Sequence, residues 1–445
     1  MTNSINSREL IADILTEILE KGAYSHVILR QALDKYQFLN KTERAFITRT
    51  TDGTLEHLLS IDAILNRYAK TKVEKMKPFI RALLRMSAYQ ILFMEAVPDA
   101  AVCNEAVKLA KKRKFGSLQG YVNGVLRNLS RQKEAGCYPD PEREPVASLS
   151  VRYSMPVWLT EHFLRFCGEE ATEKMLRAFL ERKPVTVRLE ESLTKQRREA
   201  LLLSWEKKGI AVSGHPYLPY AVQIEKTESI RRLPGYEEGL FAVQDVSSML
   251  AVEAAGIMEG QTVLDLCAAP GGKSLHAASR LAGTGKVRSF DLTEAKLSRL
   301  EENRRRMGRE NMETAVSDAR IYREDLYQSA DVVLADVPCS GLGVIGRKPD
   351  IKYRVTPESL KEVAALQRRI LNTVWEYVRP GGLLIFSTCT INREENEKMA
   401  EWFLQNHPFI CVPLEGRIPG EYLSEHSPEG MCQLLPGIHE TDGFF

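Results

Sequence analysis

The sequence has no apolar run approaching the roughly 18–20 residues that a membrane-spanning helix needs, so helical membrane spans are not expected. Its opening, MTNSINSRELIADIL, lacks the basic-then-apolar layout of a secretory signal, and a cytoplasmic location is expected. Cysteine is scarce: eight in 445 residues, at positions 103, 137, 167, 267, 339, 389, 411 and 432. None fall in C-x-x-C pairs, which argues against a disulfide framework and against the usual zinc clusters, so no metal is expected. The plain expectation for six of the eight is burial as small hydrophobes. Cys339 and Cys389 stand apart because each ends a short apolar strand. Strong net charge is also missing, at +2. That balance hides an asymmetry: residues 1–135 carry 22 Lys and Arg against 14 Asp and Glu, the remainder 39 against 45. A basic N-terminal segment points either to a polyanion partner or to a solvated basic face.

What is present is a soluble composition, 44% apolar and 27% charged, long enough for two or three domains. In residues 1–135 apolar positions recur at helical spacing. Ile11, Ile14, Leu15, Ile18 and Leu19 share a face, Leu55, Leu58, Leu59 and Ala63 repeat it, and Ile80, Leu83, Leu84 and Ile91 begin another. An all-α bundle is expected. Within it, KLAKKRKFG puts Lys111, Lys112, Arg113 and Lys114 in the last turn of a helix that stops near Gly116. Cations suit that end of the helix dipole; they are also candidate RNA phosphate contacts. CYPDPEREP, rich in proline and charge, marks a linker over 136–149. Residues 150–235, with VTVRL (185–189) and YAVQIEK (220–226) as strands, form a small α+β module.

Residues 236–445 read as strand, turn, helix, repeated: TVLDLC (262–267), VRSFD (287–291), AVSDA (315–319), DVVLAD (331–336) and GGLLIFST (381–388). That alternation implies a parallel, doubly wound sheet, with ligands at the carboxyl ends of its strands. Cys339 and Cys389 both lie just past such ends and are expected to share one crevice. DLCAAPGGKS (265–274) supplies a glycine turn that lets a ligand approach the backbone at a helix start. It nearly matches a phosphate-binding P-loop but has Cys267 where that motif needs glycine, which leaves an ATPase as a weakened competitor. Asp265, Asp291, Asp318 and Asp336 stand at or near four successive strand ends. Aspartate is common in turns, but a registered series favours an adenosine-bearing cofactor, with Asp291 on the ribose hydroxyls.

The segments LDLCAAPGGKS, SDAR, ADVPCSGLGV…RKPDIKYR and FSTCTINREENE together resemble the RNA cytosine-C5 methyltransferases that use S-adenosylmethionine. NEAVKLAKK…YVNGVLRN (104–128) resembles the NusB helical fold, and the pairing resembles the small-subunit ribosomal RNA branch of that family. The resemblance covers essentially the whole chain. It implies a multidomain α and α/β protein: an N-terminal NusB-like RNA-binding bundle (1–135), the linker, the small module, and a C-terminal Rossmann-like class I methyltransferase domain (236–445). It further implies that Cys267, Ala268, Ala269, Pro270, Gly271, Gly272 and Lys273 hold the methionine and ribose part of S-adenosylmethionine, and that Asp291 takes the ribose and Asp318 the adenine end. By the same resemblance Asp336 would lie between cofactor and base, Cys389 would be the nucleophile and Cys339 would help release product. RYSMPVWL (152–159) also matches, as does VQDVSSML (243–250), the latter as a segment beside the cofactor. Arg347 and Lys348 are expected RNA contacts, although Gly346 stands where a further basic residue is expected. The ending HETDGFF falls short of a final strand that the resemblance implies.

Two thiols suit this chemistry. A thiolate added to C6 of cytosine turns C5 into an enamine-like nucleophile, and a second group must assist the elimination that frees the product. Free cysteine, with a pKa of about 8.5, is only a few per cent ionised at neutral pH. TCTINREENE is expected to begin a helix capped by Asn392 and Glu395, whose N-terminus would favour a Cys389 thiolate. Asp336 would bond the base, which must leave its stack to reach it. The expected substrate is 16S rRNA, free or in early assembly, acted on by a monomer. Alternatives are an inactive RNA-binding regulator of ribosome assembly and a methyltransferase of a tRNA cytosine.

Overall fold

The computed structural model describes residues 5–133, 138–227 and 229–445. Cys137 and the start of the expected linker lie outside them. The chain divides into two compact units, one of residues 1–181 with 345–355, the other of 182–344 with 356–445.

The first unit is helical: α1 (Ser7–Lys21), α2 (Ser25–Lys35), α3 (Lys41–Glu56), α4 (Leu58–Tyr68), α5 (Pro78–Phe93), α6 (Asp99–Lys112), α7 (Gln119–Gln132), α8 (Pro145–Arg152) and α9 (Val157–Ala178). Its starts and stops follow local chemistry. Asn6 caps α1 through Glu9 N, Gly22 ends it in the left-handed region, and Asn40 and Glu43 form a reciprocal capping box on α3. The expected stripes Ile11, Ile14, Leu15, Ile18 and Ile80, Leu83, Leu84, Ile91 are buried in one core. The stripe at 55–63 needs correcting. His57 leaves helical geometry (φ −104°, ψ 19°) and separates α3 from α4, so α4 buries Leu58, Ile61, Ile64 and Leu65, while Leu59 and Ala63 are half-exposed.

Residues 345–355 pack within this unit and end in α10 (Ile351–Arg354). Asp350 accepts from Ser25 N and Oγ, Lys352 Nζ donates to Glu56 O at 2.8 Å, and Tyr353 OH donates to Leu55 O at 2.8 Å. Burial pushes the Lys352 ammonium down to about 7. The folded state therefore sheds a proton that the unfolded chain keeps between about pH 7 and the ordinary lysine value, and stability gains up to about 1.4 kcal/mol per pH unit across that window. Lys352→Met is expected to flatten this rise. Denaturant midpoints of both proteins from pH 7 to 10 test it, and parallel curves would refute it.

The second unit holds two sheets. The smaller is antiparallel, in the order β2-β3-β1-β4, from β1 (Val185–Leu189), β2 (Ala211–Gly214), β3 (Ala221–Glu225) and β4 (Phe241–Val243). The helix α11 (Lys195–Glu206) lies between β1 and β2 in the chain, and α12 (Val246–Ala255) follows β4. Both strands expected from the sequence, 185–189 and 220–226, are found. The larger sheet is parallel, in the order β7-β6-β5-β8-β9: β5 (Thr262–Asp265), β6 (Lys286–Asp291), β7 (Met312–Val316), β8 (Ala330–Asp336) and β9 (Val378–Ser387). Connecting helices are α13 (Gly272–Arg280), α14 (Glu294–Arg306) and α15 (Pro357–Val374), with α16 (Glu397–Asn406) after β9. Buried Val263, Val287, Val332 and Leu334 contribute to one face's core, Leu264, Phe290, Val333 and Ala335 to the other's, as strands covered on both sides require. Strand order reverses between β5 and β8, which opens a crevice at their carboxyl ends. β9 is one of the sheet's two outer strands, and a cavity of about 710 Å³ lined by Leu383, Ile385, Phe403, Ile410 and Phe444 runs along it.

Candidate active site

Each strand delivers its functional residue at its carboxyl end. β5 ends at Asp265 and runs into the turn Leu266–Gly271, after which α13 begins. Gly271 takes φ 109°, and a Cβ there would stand 2.9 Å from Leu300 Cγ, so only glycine fits. No side chain caps α13, which leaves its first N–H groups to a ligand. Asp291, ending β6, accepts from Ala269 N at 3.0 Å and from Lys296 Nζ at 3.0 Å, tying the second strand end to the glycine turn. Asp336, ending β8, pairs with Lys273 Nζ at 2.7 Å and accepts from Ser387 Oγ at 2.9 Å. These features fit S-adenosylmethionine: a turn of mostly small side chains that ends on glycine, open N–H donors and a carboxylate beside it.

The other two members of the aspartate series differ in exposure and partners. Asp265 is buried, accepts from Ser274 Oγ at 2.5 Å, and is pushed by burial up to about 7; it braces the turn from behind. Asp318 lies two residues past the end of β7 and is gripped by Arg320 Nε and Nη2 at 2.9 and 2.5 Å, which holds its carboxyl down at about 2. Cys267 is half-buried, and burial, then the nearby Asp265, Asp291 and Asp336 charges, push its thiol far up. It is a wall of the turn, not a reactive thiol.

Cys339 follows β8 and Cys389 follows β9, neighbours in the sheet, and their sulfurs lie 3.2 Å apart. The shared crevice expected from the sequence is present. The hydrogen bond to Cys389, then burial, raise the Cys339 thiol well above the ordinary range. The helix expected with Asn392 and Glu395 as its capping pair is absent there: α16 begins at Glu397, so Cys389 does not sit at a helix N-terminus. Glu395 does accept from Asn392 Nδ2 at 2.8 Å, but its oxygens also reach Ser340 N at 2.8 Å and Ser340 Oγ at 2.6 Å, across to the other cysteine's turn. Pattern reading missed this contact because 55 residues separate the partners.

Gln244 was another omission: its oxygen accepts from buried Arg188 Nε at 2.9 Å, and the side chain lies beside Gly272, which gives the segment 243–250 its place against the turn. The expectation of buried cysteines needs correcting as well. Cys103 is buried, Cys167 and Cys432 are intermediate, and Cys411 is exposed.

The expected RNA contacts lie in the helical unit. Lys112 and Arg113 pair with Glu9, and Arg113 also with Asp13, so both already serve the bundle. Lys111 ends in the last turn of α6, and Lys114 has φ 64° just beyond it. Arg347 and Lys348 are exposed in the segment 345–355. Gly346 lies against Phe179, whose Cα a Cβ would meet at 3.4 Å, an ordinary van der Waals contact.

The parallel sheet with its glycine turn and acidic strand ends defines an S-adenosylmethionine-dependent methyltransferase domain. Residues 254–445 match the model of the 16S rRNA methyltransferase RsmB/F family, 5–131 that of the NusB family, and 155–231 the ferredoxin-like domain of RsmF/B-like methyltransferases. The probable ribosomal RNA small subunit methyltransferase B of Bacillus subtilis (strain 168) is 35% identical over 98% of this chain and 97% of its own. That of Klebsiella pneumoniae (strain 342) is 31% identical over 100% and 98%. The crystal structure of PH0851 superposes with a TM-score of 0.81 at 28% identity, covering 99% of this chain and 98% of that one. The chain belongs to the RsmB/F family of 16S rRNA methyltransferases.

Proposed function

We propose that this protein transfers a methyl group from S-adenosylmethionine to carbon 5 of one cytosine in 16S rRNA, through a covalent bond between Cys389 and carbon 6. The 3.2 Å contact between Cys339 and Cys389 at adjacent strand ends carries this reading. S-adenosylmethionine supplies the methyl group. The turn from Cys267 to Lys273 holds it, with Asp291 toward the ribose; Asp318 and the exposed apolar Leu292 lie toward the adenine. Asp336, ion-paired to Lys273, is a carboxylate and so accepts a hydrogen bond from the exocyclic amine of the flipped base.

Cys389 adds to carbon 6 as a thiolate. Once carbon 5 is methylated its proton must leave before the carbon–sulfur bond breaks, and Cys339 is the group beside it that takes that proton. Lys111, Lys112, Arg113, Lys114, Arg347 and Lys348 would contact RNA phosphates, chiefly as a salt-dependent term. The protein acts as a monomer in the cytoplasm, on free or early-assembly RNA.

The test is methylation of unmodified small-subunit rRNA followed by nucleoside mass spectrometry. One 5-methylcytidine in 16S rRNA is expected, with no product on bulk tRNA. Preferred methylation of tRNA, or product at another base atom, would overturn the reading.

A further inference from the structure

Glu395 is fully buried, yet four donors converge on its two oxygens. Ser340 N reaches Oε2 at 2.8 Å and Gln367 Nε2 reaches it at 3.2 Å; Ser340 Oγ reaches Oε1 at 2.6 Å and Asn392 Nδ2 reaches it at 2.8 Å. The Ser340 hydroxyl, having given its proton to Glu395, accepts from Thr390 Oγ1 at 2.7 Å. Gln367 also donates to Pro338 O at 3.0 Å. Pro338 and Ser340 bracket Cys339, while Thr390 and Asn392 follow Cys389. One carboxylate thus joins the two turns that carry the thiols.

The two turns do not depend on it equally. Cys389's turn has its own supports: Thr388 N and O pair with Phe445 at 3.1 and 3.0 Å, and Thr388 Oγ1 donates to Asn396 at 2.6 Å. Asn396 Nδ2 donates to Thr390 O at 3.1 Å. Both side-chain and main-chain donors of Ser340, in contrast, end on Glu395. Loss of Glu395 loosens Cys339 more than Cys389.

We propose that Glu395 is a positioning residue of the methyl-transfer reaction: it holds Cys339's turn against Cys389's and thereby sets the thiol spacing on which product release depends. This rests on the proposed roles of the two thiols. Glu395 need touch neither substrate nor cofactor. Its removal should leave bond formation by Cys389 largely intact and impair the later elimination, a partial copy of losing Cys339.

The test uses the full-length protein with S-adenosylmethionine and unmethylated small-subunit rRNA, comparing wild type, Cys339→Ala, Glu395→Ala, Glu395→Gln and Ser340→Ala. Turnover and protein–RNA adduct on denaturing gels are both followed. Glu395→Ala is expected to lower kcat about 100-fold, the scale of a displacement near 1 Å, with KM for S-adenosylmethionine within about twofold. It should accumulate adduct as Cys339→Ala does. Glu395→Gln keeps the shape and one acceptor oxygen, and should fall between it and wild type. Ser340→Ala, which keeps the main-chain donor, should do the same.

Slow turnover of Glu395→Ala and Glu395→Gln without adduct, while Cys339→Ala traps it, would overturn the clamp and leave the thiol roles standing. Failure of Cys339→Ala itself to trap adduct would overturn both. If Glu395→Ala does not fold, Glu395→Gln and Ser340→Ala decide by the same readout.

Discussion

Cys389→Ala is expected to lose methyl transfer by at least about four orders of magnitude, the scale on which removing a nucleophile acts, and to form no RNA adduct. Cys339→Ala is expected to form an adduct that survives denaturation and to stall there. The asymmetry follows from the proposed roles of the two thiols. Their sulfurs lie 3.2 Å apart at neighbouring strand ends, so a base bonded through carbon 6 to one sulfur has the other beside it. Without Cys389 the carbon–sulfur bond cannot form; without Cys339 it forms, but the elimination that breaks it lacks its assisting group. Denaturing gels and methyl incorporation on both variants test this. Adduct in Cys389→Ala and none in Cys339→Ala would reverse the roles.

Much of this site was legible in the sequence because its parts are local. Strand-then-turn patterns placed Asp291, Asp336, Cys339 and Cys389 at strand ends, and the paired glycines after Asp265 marked the ligand turn. The failures share a cause. Asn392 and Glu395 have the spacing of a capping pair, but Glu395 finds better donors on Ser340, and the helix starts two residues later. Asp265 matches its series by position, yet the sheet buries it, a matter of three-dimensional packing that no one-dimensional pattern carries. Lys112 and Arg113 read as open cations because their partners Glu9 and Asp13 lie about a hundred residues away. The break between α3 and α4 was equally hidden, since His57 interrupts a stripe whose apolar spacing runs on through it.

Gly343→Ala is the other change expected to be severe, although Gly343 is neither acidic nor nucleophilic. A Cβ at this position would stand 2.0 Å from Gly443 O and 2.5 Å from its carbonyl carbon, both backbone atoms that cannot turn aside. Gly343 N donates to Cys389 O at 3.1 Å, and Gly443 N donates to Gly343 O at 2.9 Å. The added methyl must therefore push apart the segment after Cys339, the Cys389 carbonyl and the closing stretch at 443. Overpacking of this kind costs about 1–3 kcal/mol, and a shift near 1 Å at the thiols costs about 100-fold in rate. Affinity for S-adenosylmethionine should hold within about twofold, because the turn from Cys267 to Lys273 makes none of these contacts. Gly124→Ala, on the exposed face of α7 with open space around it, serves as the control and should gain about 0.5–1 kcal/mol. Thermal melts, cofactor titration and methyl transfer on the two variants separate these terms. Full activity in Gly343→Ala would mean that the thiol spacing tolerates movement of this loop, and with it the link from backbone packing to chemistry would fail.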